Sequence, residues 1–157
     1  RLTGLSQAVM EIVLDWTKER FIAGKPVRER SMFAGMLGEM QRAIEVSRQY
    51  YLSVTWQVMH PEIYGGPWTP QMVARFSAAR SFAADTAEMV CNRAMELMGS
   101  YGYAYESQVE KYTRDFKIVK MWLGGAQRDR LDIAQGLYGP FQWGGQDEYF
   151  RNEGLLK

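Results

Sequence analysis

The sequence holds very little of what several functional classes require. Among its 157 residues there is one cysteine, Cys91, and one histidine, His60. A single cysteine excludes an internal disulfide and indicates a reducing compartment. One histidine and one cysteine cannot by themselves make a tetrahedral zinc site. We therefore predict no metal centre and no disulfide framework.

Long apolar runs and an excess of one charge are also missing. The formal net charge is +1 with both signs interspersed, so nothing favours nucleic acid or an anionic membrane. No apolar run approaches the roughly 18–20 residues that span a bilayer, and no signal peptide opens the chain. The chain starts at Arg1 inside a helical pattern. We therefore expect it to be a segment of something longer.

What the sequence does contain is helical periodicity. Leu5, Val9, Ile12 and Trp16 recur every three or four residues, and Gly24-Lys25-Pro26 is a typical helix stop. Strand alternation is absent. The predicted fold is an all-α, antiparallel four-helix bundle with an extra short C-terminal helix. The predicted helices are the first segment up to residue 24, then 28–59, 70–98 with Thr69 as N-cap, 108–122 and 126–137.

The bundle is expected to occupy residues 1–138. Residues 139–157 form a tail rich in glycine and aromatic residues. An arm that packs on another subunit and a partly ordered terminus both fit that composition.

Three stretches between the predicted helices suit the binding of an anionic ligand. In WTKERFIAGKPV, Arg20 ends a helix, and arginine suits phosphate because its planar fork donates two parallel hydrogen bonds. In ELMGSYGY, Gly99 and Ser100 allow a sharp turn and close approach of a ligand to backbone amides. In LGGAQRDR, Gly124 and Gly125 precede a helix N-terminus, which favours an anion. Each pattern in isolation is equally typical of a helix end or a turn.

Taken in order, these stretches resemble the signatures of a known family. The segment VEKYTRDFKIVKMWLGGAQR is similar to V-E-K-Y-Y-R-D-A-K-I-x-x-I-Y-E-G-T-x-Q-I. The two earlier stretches match Y-x-x-x-R-x-x-F-G-K-P-I and Q-x-x-G-G-x-G-Y at similar separations. On these motifs, residues 4–136 resemble the C-terminal helical domain of flavin-dependent acyl-CoA dehydrogenases. The resemblance implies an N-terminal helical domain and a middle β-domain outside this chain.

The resemblance also implies a reaction, a cofactor and partners. The reaction is α,β-dehydrogenation of an acyl-CoA thioester, with FAD bound between the subunits of a homo-oligomer, a dimer or tetramer. Electrons would pass to an electron-transfer flavoprotein or a similar acceptor. The compartment would be the bacterial cytoplasm or, in a eukaryote, the mitochondrial matrix. FAD would meet Arg20, Glu96, Gly99, Ser100, Gly125, Ala126 and Gln127, and the thioester would be bordered by Trp122 and Gly124.

The chain differs from the family pattern at the residue on which the chemistry depends. The usual base is a glutamate, and Leu123 occupies its position, so no catalytic residue is expected in this segment. Three alternatives remain: a base relocated to about six residues before Arg1, a silent or altered-reaction subunit, or another nearby carboxylate. Glu96 also replaces a glutamine, and a carboxylate beside a pyrophosphate would repel it.

Overall fold

The described part of the chain is almost entirely helical, which confirms the predicted all-α class. The computed structural model describes residues 1–139, apart from the side chain of Leu123. The helices in that range are α1 (Leu2–Glu19), α2 (Ser31–Val58), α3 (Pro61–Tyr64), α4 (Pro70–Met98), α5 (Ser100–Tyr103), α6 (Val109–Met121) and α7 (Gly125–Tyr138). Helices α3 and α5 are single turns of 4 residues each.

Helix α4 lies at the centre and contacts α1, α2, α6 and α7. Its polar contacts with α2 join Arg75 to Gln57 and Arg93 to Glu39, so the two helices run antiparallel. Helix α6 follows the C-terminal half of α4, and α7 follows the N-terminal half. The fourth position of the bundle is therefore filled by two successive helices, with a short 3₁₀ turn, Trp122–Gly124, at the break between them.

The start of α4 follows from local chemistry, as predicted. The Thr69 hydroxyl accepts a hydrogen bond from the Met72 amide at 3.4 Å, and Pro70 occupies the first turn. A threonine N-cap satisfies one of the amides that a helix start leaves without a partner, and proline has no amide to satisfy there.

The connection between α1 and α2 differs from the prediction. Helix α1 ends at Glu19, and a hairpin follows in which β1 (Phe21–Ile22) pairs with β2 (Lys25–Pro26). Ala23 and Gly24 form its turn with φ angles of 47° and 74°. Arg30 holds this turn by donating hydrogen bonds to the carbonyls of Ile22 and Ala23. The two strands have 2 residues each, too few to give an alternating pattern, and the predicted all-α class stands.

The core lies where α1, α2 and α6 meet α4. The alanine-rich composition of α4 predicted close approach of a neighbouring helix, and α7 does approach closely at Ala74. A Cβ at Gly136 on α7 would lie 2.3 Å from the Cβ of Ala74 on α4. The fully buried apolar residues are Val9, Val13, Val27, Met40, Ile44, Met72, Ala87, Val90, Cys91, Ala94 and Val109.

The predicted tail falls almost wholly outside the described residues. Of residues 139–157, only Gly139 is described, as the residue that ends α7. The two alternatives for the tail stay predictions.

Candidate functional site

The predicted site residues form two groups, one at each end of α6. The first group lies where α1 and α4 end, and the second lies at the break between α6 and α7. Helix α6 has 13 residues, which corresponds to about 20 Å at the helical rise of 1.5 Å per residue. The two groups therefore do not share one pocket within this chain.

At the first end, Arg20 and the glycine turn after α4 are neighbours. The Arg20 guanidinium lies 5.7 Å from the centre of the Tyr101 ring, and that ring lies 6.2 Å from the ring of Trp16. Both Arg20 and Tyr101 are exposed. The structure thus brings a cation from α1 to the turn that follows α4, although the two are far apart in sequence.

The turn at Gly99 and Ser100 is open. Gly99 adopts φ 59° and ψ −133°, ends α4 and begins α5. Both residues are exposed, and no atom lies within 4 Å of a Cβ added at Gly99. Gly102 has a different reason to be glycine, because a Cβ there would lie 3.0 Å from the Met95 Cα. Gly102 serves the packing of α5 on α4 and is not part of the open surface.

Glu96, one turn before Gly99, is paired with a cation. Its carboxylate lies 2.7 Å from Nη1 of Arg93, whose Nε lies 3.1 Å from the carboxylate of Glu39. The hydrogen bond to Glu96, together with Glu39, raises the pKa of the Arg93 guanidinium. Arg93, a residue that the sequence patterns did not single out, is thus shared between two carboxylates, and the three side chains together keep one negative charge.

At the second end, two consecutive glycines make the break. Gly124 and Gly125 have φ angles of 89° and 60°, in the region that favours glycine. Gly125 is buried, and a Cβ there would lie 2.9 Å from the carbonyl oxygen of Lys120. Only glycine fits at Gly125, both for its backbone angle and for the close contact with the end of α6.

A cavity of about 290 Å³ lies at this break and includes predicted residues. Gln127 is exposed, and its side-chain oxygen accepts a hydrogen bond of 3.3 Å from Arg130. Trp122 is 54% exposed, so its ring is available to a neighbouring surface. The cavity is lined by Lys117, Lys120, Met121, Gly124, Gly125, Ala126 and Gln127.

Arg80, on α4, is hydrogen-bonded to the backbone at the break. It donates hydrogen bonds to the carbonyl of Trp122 and to the carbonyl of Gly125, each at 3.0 Å. Its Nε donates to Oδ1 of Asp129 at 2.8 Å, and the Asp129 side chain is only 4% exposed. Sequence reasoning missed Arg80, and no local signal marks it, because its partners lie 42 to 49 residues further along the chain.

The position of the expected base lies in the 3₁₀ turn and carries Leu123. The carboxylates close to this break are bound to cations. Asp129 pairs with Arg80, and Glu88 binds Lys120 and Lys117. These two lysines lower the pKa of Glu88. The alternative in which a nearby carboxylate replaces the missing base stays a prediction.

Two further observations concern the described residues as a whole. None of the helices within residues 1–139 combines the length and the apolar character that crossing a bilayer requires. In the same range, no three His, Cys, Asp or Glu side chains stand together in a way that could hold a metal ion.

Comparison with known proteins identifies the family. Residues 1–138 match the family model described as acyl-CoA dehydrogenase, C-terminal domain, and the chain belongs to this family. Flavoprotein oxidoreductases and tetramers are typical of the family. The predicted family and the predicted fold are thus confirmed.

Individual relatives give the extent of the similarity. A probable acyl-CoA dehydrogenase of Bacillus subtilis, YngJ, is 31% identical over 85% of this chain and 33% of its own length. A 3-sulfinopropanoyl-CoA desulfinase of Cupriavidus necator is 28% identical over 83% of this chain and 31% of its own length. The chain therefore spans about a third of the length of such relatives.

A solved structure has the same fold. Butyryl-CoA dehydrogenase from Megasphaera elsdenii superimposes with a TM-score of 0.76 at 24% identity, over 87% of this chain and 34% of the other.

Proposed function

We propose that this chain is the C-terminal helical domain of an FAD-dependent acyl-CoA dehydrogenase that oxidises an acyl-CoA thioester to its α,β-unsaturated form. The observation that carries the proposal is the pair of glycine turns at the two ends of α6, with Arg20 beside one and Gln127 beside the other. Gly99 at the first turn and Gly124 at the second are exposed, which leaves backbone accessible to a ligand where a helix ends or begins.

The residues at the first turn fit a dinucleotide. Arg20 is exposed and offers a cation for a pyrophosphate. Gly99 and Ser100 present open backbone, and Arg93, shared with Glu39, offsets part of the charge of Glu96. When bound, FAD supplies the acceptor for the hydride removed from the thioester. The task of this chain's residues is to bind and orient that cofactor.

The residues at the second turn fit the reacting end of the substrate. Gly125, Ala126 and Gln127 line the cavity and would contact the flavin, while Trp122 and Gly124 would border the thioester. Leu123 cannot take up a proton, so the base in this reading is supplied from outside the described residues. A carboxylate about six residues before Arg1 is the proposed source.

Oligomerisation is part of the proposal. Large apolar side chains on α2 and α4 are exposed, which is typical of surfaces that bind other subunits or domains. We propose a homo-oligomer, a dimer or tetramer, in which Arg20 reaches a flavin of the neighbouring subunit. We also propose that an electron-transfer flavoprotein or a similar protein accepts the electrons. The exposed side chains are Val46, Tyr51, Leu52, Trp56, Phe76 and Phe82.

A second candidate is a family member with another reaction or a silent site, and Leu123 favours it. The relative named as a desulfinase supports this reading, because its name describes a CoA-thioester reaction other than dehydrogenation. Both candidates use the same two turns for flavin and thioester. They differ in whether a base is present to remove the α-proton.

Anaerobic titration of the full-length flavoprotein tests these candidates. An active dehydrogenase loses its visible flavin absorbance when a suitable member of an acyl-CoA panel is added, and a dye-linked assay then shows turnover. A protein that binds thioesters without bleaching supports the second candidate. A full-length protein that binds neither FAD nor any thioester contradicts both.

A further inference from the structure

We infer that Arg80 is a positioning residue for the proposed thioester and flavin site. Its guanidinium fixes the backbone of residues 122–125 against α4. The ligands assigned to this break rest on the proposed function. The Arg80 contacts themselves, called the clamp below, lie within the chain.

All three nitrogens of the Arg80 guanidinium make contacts. Nη1 donates to the carbonyl of Trp122 and Nη2 to that of Gly125, so one side chain spans both ends of the 3₁₀ turn. Nε and Nη2 also contact Oδ1 of Asp129, at 2.8 and 2.7 Å. Asp129 is buried on α7, and it therefore anchors the fork from the far side of the break.

The break gains additional donors from Arg80. The Trp122 carbonyl already accepts a hydrogen bond from the Gly125 amide, and Gly125 begins α7. The bonds from Arg80 therefore tie the break to α4, in addition to the backbone bonds at the break. Arginine can reach two carbonyls and a carboxylate at once because its five donors lie in one plane. Lysine offers a single flexible ammonium, so it can keep the pair with Asp129 but cannot hold both carbonyls in place.

The position of the break determines where Gly124 and Gln127 lie. Both residues line the cavity at the start of α7, and Gly125 is tied to Arg80 through its carbonyl. Release of the clamp would let the turn move relative to the bundle. The clamp acts through Trp122 and Gly125 and not by contact with the reacting atoms.

The test compares Arg80→Lys with Arg114→Lys in the full-length protein. Arg114 is an exposed arginine that binds Glu110 on its own helix, so this matched change leaves the break untouched. Loss of two ordinary hydrogen bonds corresponds to roughly a tenfold change in local opening. We expect amide hydrogen exchange of residues 122–127 to be about tenfold faster in Arg80→Lys and unchanged in Arg114→Lys.

A second readout connects the clamp to the site. The thioester concentration that half-saturates the change in flavin absorbance should rise about tenfold in Arg80→Lys, with the same flavin content per chain. If Arg80→Lys does not fold, Arg80→Gln with Asp129→Asn removes the clamp without leaving the buried carboxylate charge.

The outcomes separate the two proposals. Unchanged exchange at residues 122–127 overturns the clamp. Faster exchange with unchanged thioester binding overturns its role in the site. If even the unsubstituted protein bound neither flavin nor thioester, the proposed function would fail, whereas the exchange comparison would still decide whether Arg80 holds the break.

Discussion

Glu96 shows how a neighbouring cation can reduce the effect of a single unfavourable residue. A carboxylate near the expected path of a pyrophosphate is unfavourable by itself. In the structure Arg93 lies one helical turn before it and binds both Glu96 and Glu39. The local charge near the first turn is therefore set by Arg93, Glu96 and Glu39 together. Of these three, only Glu96 lies within the family motif.

This arrangement predicts how FAD affinity responds to substitution. Arg93→Met leaves Glu96 without its partner and should weaken FAD binding several-fold, while Arg93→Met with Glu96→Gln should restore it. The measurement is FAD affinity of the full-length apoprotein, followed by quenching of flavin fluorescence. Equal affinities for the two variants would mean that Glu96 lies away from the cofactor.

At the scale of elements, the contacts of α4 decide where α6 and α7 lie. Helix α7 packs so closely that Gly136 meets Ala74, and Ser77 on α4 donates to the buried Asp132 on α7 at 2.8 Å. Helix α6 packs buried apolar residues into the core and adds ion pairs nearer the surface, in which Lys120 binds Glu88 and Asp85. The two halves of the same bundle position thus both combine packing against α4 with polar contacts.

The close contact between α4 and α7 predicts a paired effect. Gly136→Ala puts a methyl group where Ala74 already lies, and overpacking of this kind costs about 1–3 kcal/mol. Adding Ala74→Gly removes the clash, so the double variant should be more stable than the sum of the two single changes predicts. Urea unfolding of all four proteins measures the difference. Additive effects would contradict the contact.

The ion pairs between α4 and α6 predict a pH dependence. Because Lys120 and Lys117 lower the pKa of Glu88 below its usual value of 4.5, the pair stabilises the protein above that pH. Its contribution, about 0.5 kcal/mol for a pair near the surface, is lost as the pH falls through the lowered pKa.

Glu88→Gln should therefore lower the free energy of unfolding at neutral pH and leave it unchanged in acid. Lys120→Met should do the same, since it removes the lysine whose hydrogen bond lowers the pKa of that carboxylate most. Urea unfolding at a series of pH values measures both variants. A constant difference from the unsubstituted protein at every pH would show that Glu88 does not titrate through this pair.

At the scale of the whole molecule, the core around α4 is closed to solvent. Cys91 lies on α4 with no exposed surface, and burial raises the pKa of its thiol to about 12. A thiol of this kind reacts only when the surrounding helices separate, because the thiolate is the reactive form.

The reactivity of Cys91 should thus report global unfolding. We expect native protein to label slowly with a thiol reagent, at a rate that follows the free energy of unfolding as urea is added. Cys91→Ala with Ser53→Cys, which moves the thiol to an exposed position on α2, should label rapidly without urea. Fast labelling of the native protein at Cys91 would show that the core opens locally.

Local chemistry made parts of this fold predictable. The bounds of α4 followed from Thr69 and Pro70 at its start and Gly99 after its end, because capping depends on adjacent residues. The hairpin after α1 was missed because Ala23 carries no sign that it adopts a positive φ. That conformation is imposed by Arg30, which binds the turn from outside.

The candidate site likewise contains residues that local sequence signals indicate and residues whose role depends on tertiary packing. Gly99, Gly124, Gly125 and Gln127 could be found from motif and turn signals in the sequence. Arg80 could not, since its role exists only once α4 and α7 are packed together. Arg93 was equally hidden, although it is only three residues from Glu96, because a pair of opposite charges on a helix is usually just a solvated surface pair.

The central position of α4 limits how this chain can change in length. One inserted residue would rotate everything beyond it by about 100°, since a helix has about 3.6 residues per turn. An insertion between Arg80 and Arg93 would turn one of them away from its partners, so the break at residues 122–125 and the Gly99 turn could no longer both be supported. Tolerated insertions and deletions should accordingly fall in the 59–69 connection, and α4 itself should keep a constant residue count between its two arginines.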